Sequence, residues 1–202
     1  MSVAAEVFGA RFDAVSRYVD ILRSTGVEWG LIGPREGDRL WERHILNSVA
    51  LVGLLPRSAT VVDVGSGAGL PGLPLAILRP DLQVTLLEPL LRRATFLTET
   101  VAELDLRSSV TVVRARAEEH RHSYDAVVSR ALAPLDRLLT WCGPLRHPDG
   151  VILALKGRTA TDELRAADRE LRRQGLDGEV LTVRAHQGAE STTVVRLRRR
   201  PR

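Results

Sequence analysis

Apolar residues in the first fifty positions recur at helical intervals. Phe8, Phe12, Val15, Val19 and Leu22 advance by steps of four and three, which sets them on one helical stripe. Gly26, Gly30, Gly33 and Pro34 interrupt that rhythm. A second helix is expected from about Asp38 to Leu55, with Trp41, Ile45, Val49 and Val52 as its buried face and Pro56 as its stop. From Thr60 the pattern changes to short apolar runs that read as strands: Thr60–Val64, Gln83–Glu88, Val110–Arg114, Tyr124–Ser129 and Val151–Lys156. Helical stretches separate them, over Pro71–Leu78, Leu91–Leu104, Pro134–Cys142 and Thr161–Gln174. Pro71 and Pro134 suit a first helical turn, where a missing N–H is no loss.

Apolar strands alternating with helices predict a parallel sheet covered on both faces. Two last strand-like runs, near Glu179–Ala185 and Thr192–Leu197, flank a loop containing Gly188 and suggest a closing hairpin with one antiparallel strand. The expected fold is a Rossmann-like, doubly wound, mostly parallel α/β sheet. Its expected organisation is a helical cap over residues 1–56 and a sheet domain over residues 57–202, ending in a basic tail at 196–202.

Composition narrows the setting. A single cysteine, Cys142, excludes an internal disulfide framework and fits a reducing compartment. No apolar run is long enough for a membrane span, and Glu6, Arg11 and Asp13 do not suit a secretory leader, so a cytoplasmic protein without membrane attachment is expected. The net charge of +4 is uneven: Arg196, Arg198, Arg199, Arg200 and Arg202 supply five positive charges, so residues 1–195 sum to −1. Nucleic-acid affinity must then come from local patches or the tail. Lys156 is the sole lysine.

Ligands of such sheets sit beyond the carboxyl ends of the strands. After the first strand comes Asp63-Val64-Gly65-Ser66-Gly67-Ala68-Gly69-Leu70-Pro71-Gly72. Gly67, Gly69 and Gly72 fit the dinucleotide fingerprint, whereas Gly65, Gly67 and Gly69 with an acid two residues ahead suit S-adenosylmethionine. Glu88 ends the second strand, where a carboxylate can accept the ribose hydroxyls of either cofactor. Ala117 and Glu118 follow the third strand, at a place suited to an adenine edge. The fourth and fifth strands deliver Arg130 and Lys156. These cations suit an anionic substrate such as a nucleic-acid backbone, and no proton donor of the kind a nicotinamide dehydrogenase needs is present at these ends. Cys142 lies on an apolar helix face, which argues against attack at a pyrimidine C5. No Asn/Asp-Pro-Pro-Tyr/Phe signature of exocyclic-amine methylation occurs. Guanine N7, unprotonated and nucleophilic at neutral pH, requires neither device.

Taken together these residues resemble the bacterial small-subunit rRNA guanine-N7 methyltransferases of the RsmG, or GidB, family. The resemblance rests on Arg43-His44-Ile45-Leu46-Asn47-Ser48, on Asp63 to Ile77, on Arg92-Arg93-Ala94-Thr95-Phe96-Leu97, on Arg116-Ala117-Glu118-Glu119, on Ser129-Arg130-Ala131 and on Leu155-Lys156-Gly157. It implies a class I S-adenosylmethionine-dependent methyltransferase acting on guanine 527 (rRNA numbering) of 16S rRNA, within the small subunit or its assembly intermediate; separately, a monomer is expected. Gly65, Leu70, Ala117, Glu118 and Arg130 carry over as cofactor-binding positions, to which the fold adds Gly67, Gly69 and Glu88. His44, Arg130 and Lys156 are the candidates for the RNA-facing, catalytic side; no metal site is expected. Pro89 and the pair Arg92-Arg93 depart from residues common in the family. The competing readings are a small-metabolite methyltransferase and a non-catalytic ribosome-assembly RNA-binding protein.

Overall fold

The computed structural model describes residues 2–33 and 36–200. Seven strands form one sheet: β1 (Thr60–Val64), β2 (Gln83–Leu87), β3 (Val110–Val113), β4 (Tyr124–Arg130), β5 (Arg146–Lys156), β6 (Leu176–Val183) and β7 (Thr192–Arg199). Their order is β3-β2-β1-β4-β5-β7-β6. Strands β1 to β5 pair in parallel, and β7 runs antiparallel to both β5 and β6. The expected hairpin and its antiparallel strand are therefore present. The order reverses between β1 and β4, which opens the crevice where such sheets receive ligands.

Successive strand residues point to opposite faces, and each face has its own apolar cluster. On one face Val61, Val84, Leu86, Val128 and Leu153 meet α2 (Phe12–Ile21), α4 (Gly72–Leu78) and α5 (Leu91–Glu103). On the other, Val62, Val127, Ile152 and Val195 meet α6 (Leu135–Cys142), with α7 (Ala160–Ala166) and α8 (Asp168–Arg173) beyond it. The N-terminal helices thus share one core with the sheet: Val15, Tyr18, Leu40 and Val49 belong to the first cluster. Among the described residues no helix is long and apolar enough to cross a membrane.

Several expected boundaries move. The first helical stripe breaks after α1 (Val3–Phe8), because Gly9 takes a left-handed backbone before α2 begins. The helix expected over 38–55 is a composite, with wide i→i+5 turns over Leu40–Leu46, then α3 (Asn47–Val49), then a tight turn over Val52–Leu54. Wide turns move the buried stripe off the 3.6-residue period. Leu40 and Ile45, five apart, are buried, while Trp41 and Val52 are only half-buried. Trp41 instead stacks on Phe12, with centroids 5.7 Å apart. The helix expected over Thr161–Gln174 is divided at the buried Ala167.

The expected basic tail is a correction. Residues 196–199 are the end of β7, and only Arg200 follows among the described residues. Val194, Val195 and Leu197 are buried, while the arginines between and beyond them face outward toward acids. Arg196 and Arg200 reach Glu179 at 2.8 Å and Asp177 at 2.7 Å. Residues 201 and 202 lie outside the described residues.

Close approach of α4 to the sheet depends on Gly72. A Cβ there would lie 2.8 Å from Asp63 Oδ2 and 3.0 Å from Asp63 Cβ, and closer still to Leu86. Gly72→Ala is therefore expected to destabilise the protein by about 1–3 kcal/mol through overpacking. Chemical denaturation checks this, and a midpoint at the wild-type value would refute it.

Candidate functional site

Beyond the carboxyl ends of β1, β2 and β3 lies a cavity of about 930 Å³, within the roughly 300–1,000 Å³ range of small-ligand sites. Its floor is the glycine loop after β1. Gly65 has φ +70°, and a Cβ at that position would meet the Leu132 side chain, so only glycine lets the backbone lie open to the cavity there. Gly67 N–H donates to Glu88 Oε2 at 3.0 Å, while Leu90 N–H donates to Glu88 Oε1 at 3.0 Å. Both carboxylate oxygens of this nearly buried residue are thus aimed, and each keeps a lone pair for a ligand hydroxyl.

Gly65, Gly67, Leu70, Glu88, Ala117, Glu118 and Arg130 line the cavity, as does His44. Gly69 does not. Its missing side chain instead gives room to Leu73 and to the Tyr18 hydroxyl, 3.1 Å from where a Cβ would be. Tyr18 was not foreseen as part of the site. It is fully buried on α2, and its hydroxyl donates to Ala68 O at 2.7 Å, tying the N-terminal helices to the loop. Arg93, Arg114 and Arg116 add positive charge around the cavity. Arg92 lies 5.6 Å from the Trp29 ring centre in a cation–π contact.

Arg130, at the end of β4, belongs to a chain of polar contacts. Its Nη2 lies 2.7 Å from His44 Nδ1, and His44 Nε2 lies 2.9 Å from Glu36 Oε2. A guanidinium can only donate, so Nδ1 must accept and the ring proton must sit on Nε2, donating to Glu36. Burial lowers the His44 pKa below its usual 6.5; the Glu36 bond opposes that and the Arg130 charge reinforces it. His44 is therefore a neutral imidazole at neutral pH. Glu36, missed in the sequence, has its own pKa lowered chiefly by the His44 bond.

Lys156 lies elsewhere. It lines a second cavity of about 380 Å³, which shares Arg130 and Ala131 with the first. Its ammonium donates to Ala133 O and to Glu163 Oε2, the latter at 2.7 Å. Glu163 also accepts from Leu135 N–H at 3.1 Å and Thr159 Oγ1 at 2.9 Å. Burial raises the Glu163 pKa, and the Lys156 and Thr159 bonds more than offset that. Lys156 thus braces the loops after β4 and β5. Lys156→Met should cost about 1–3 kcal/mol by leaving Glu163 without its cation, and thermal melts check this. A melting temperature equal to wild type would remove the bracing role.

The family model described as rRNA small subunit methyltransferase G matches residues 11–193. The chain belongs to the GidB family. Relatives named ribosomal RNA small subunit methyltransferase G include one from Mycobacterium avium, 52% identical over 97% of this chain and 82% of the relative. Another, from Streptomyces avermitilis, is 53% identical over 96% of this chain and 83% of the relative. Among solved structures, precorrin-6y C5,15-methyltransferase from Geobacter metallireducens aligns with a TM-score of 0.58 at 21% identity, over 84% of this chain and 90% of that one. A SAM-dependent methyltransferase from Aquifex aeolicus aligns at 0.57 with 16% identity, over 76% of this chain and 90% of that one. These two show the fold.

This GidB-family chain is a methyltransferase that uses S-adenosylmethionine, and its larger cavity fits that cofactor. The open backbone at Gly65 and the aimed Glu88 carboxylate could receive an adenosine. Cys142 takes no part: it is fully buried, and burial pushes its thiol up to about 12.

Proposed function

We propose that the chain transfers the S-adenosylmethionine methyl group to N7 of guanine 527 (rRNA numbering) in 16S rRNA, in the small subunit or its assembly intermediate. The observation that carries this reading is the pairing of a cofactor cavity with a second cavity across Arg130, in a chain whose only thiol is buried and unreactive. When bound, the cofactor supplies an electrophilic methyl on a sulfonium; the N7 lone pair takes the methyl carbon, the C–S bond breaks toward sulfur, and no proton is moved.

The protein's task is then alignment. Gly65, Gly67, Leu70, Glu88, Ala117 and Glu118 hold the adenosine half. Arg130 faces both partners and is the residue we assign to contact with the reacting pair. Glu36 and His44 are positioning residues acting through it, and Lys156 acts through the loops it braces. The arginines of the rim favour a polyanionic substrate over a small neutral metabolite. We read the chain as acting in the cytoplasm, as a monomer.

Incubating the purified chain with labelled cofactor and small subunits from a strain lacking the gene tests the reading. Nucleoside analysis should show 7-methylguanosine at that one position. A different methylated nucleoside, or transfer to a small metabolite alone, would overturn it.

A further inference from the structure

The second cavity lies beyond the ends of β4 and β5, across the switch point from the cofactor cavity, and Arg43, Asn47, Ala133, Lys156 and Glu163 are among its walls. We propose that it seats the target base, and that Asn47 and Arg130 together read the O6/N1 edge of a guanine. This rests on the guanine reading above and names residues for it.

Two polar atoms at this cavity stand without partners among the described residues. The Asn47 amide donates through Nδ2 to Arg43 O at 3.2 Å, and only nitrogen can make that bond, so Oδ1 is fixed as the free end. That oxygen is buried and unpaired. Arg130 uses Nη2 on His44 and leaves Nη1 buried and unpaired. The site therefore offers one free acceptor and one free donor. Guanine presents the complement, an N1–H donor beside an O6 acceptor. Adenine presents an amino donor where guanine has O6, so it would set a donor against the Arg130 donor. Unmade bonds of this kind are the strongest basis for rejecting a near-isostere.

The same contact fixes which atom meets the cofactor. In guanine N7 flanks O6 on the side away from N1. Arg130 stands in the wall common to both cavities, so a base whose O6 meets it turns N1 toward Asn47 and N7 toward the cofactor side. Both protein atoms are covered by their neighbours, so side-chain rotations accompany docking of the base. The base must also leave its stack to reach the cavity.

The test uses the full chain and small subunits lacking the modification. For Asn47→Leu, kcat/KM for the particle should fall about 10–100-fold, while the calorimetric Kd for S-adenosylmethionine stays within about twofold of wild type. Asn47→Asp keeps an acceptor toward N1–H and should recover most of that loss, an outcome that a purely structural asparagine would not give. Asn47→Leu with wild-type kcat/KM, or with a loss matched by weaker cofactor binding, overturns the seat. These outcomes are separable from failure of the functional reading. If the wild-type chain forms no 7-methylguanosine, both fall; if it does and Asn47→Leu is fully active, only the seat falls.

Discussion

Arg130→Ala is expected to lower kcat by about 10²–10³ while leaving the melting temperature nearly unchanged. A misplacement of about 1 Å in a reacting pair costs about 10²-fold, which sets the scale of the first figure. The second follows from the residue's surroundings. Its guanidinium is largely buried, makes one hydrogen bond to His44, and leaves Nη1 unpaired. Burial lowers its pKa, which reports that the protein holds this charge at a cost. Removing such a group relieves desolvation as much as it loses contacts. Arg130→Lys should not restore activity, because a single ammonium cannot bond His44 and face both cavities at once. Steady-state kinetics with parallel melts decide the matter. A variant that retains kcat, or one that fails to fold, would remove the assignment.

The same contact makes acid pH costly. Protonated His44 would carry a proton on Nδ1 and turn it against the Arg130 donor. The groups around the ring are Glu36, Arg43 on its own helical segment and Arg130 across the cavity, with Tyr18 and Asp63 beyond Arg130. Because the folded pKa lies below 6.5, the unfolded chain binds the proton more readily. The stability His44 contributes is complete above pH 6.5 and is lost as pH falls through the folded pKa.

The sheet was legible because a strand buried on both faces must be apolar along its whole length. β1 matches its expected bounds, and β2 and β3 end one residue early. The glycine loop and the Glu88 carboxylate that line the larger cavity were legible for a related reason: a glycine loop followed by a carboxylate one strand later is a local pattern. What failed was long-range. Glu36 is a half-exposed acid in a turn, and only the fold brings it to His44. Tyr18 carries a hydroxyl on a helix stripe, and nothing near it in sequence names Ala68 as its acceptor. The strand β7 was legible as far as Leu197; Arg198 and Arg199 extend it, and the alternation of arginines with Val195 and Leu197 was the available signal. Its partner acid, Glu179, pairs directly with Arg196 in the β6–β7 register.

Asp63→Asn is expected to stabilise the protein above pH 7, with the advantage fading as pH falls toward 5. Asp63 is fully buried at the end of β1, where Oδ2 accepts from Gly72 N–H at 2.9 Å and Oδ1 has no partner among the described residues. Burial pushes its carboxyl up to about 7, and the neighbouring Glu88 adds to the rise against the opposing pull of the Gly72 bond and Arg130. The unfolded chain holds the same group near 3.8. Between those values the folded state binds more protons, so this group's contribution falls as pH rises and is lowest above 7. An asparagine keeps an oxygen for Gly72 and carries no charge. The expected gain at pH 8 is about 1–3 kcal/mol, or roughly 2–4 °C per kcal/mol in a chain of this size. A melting-temperature difference that stays constant from pH 5 to pH 8 would mean that the Asp63 charge does not set it, because titration of that one carboxyl is the only source of the expected slope.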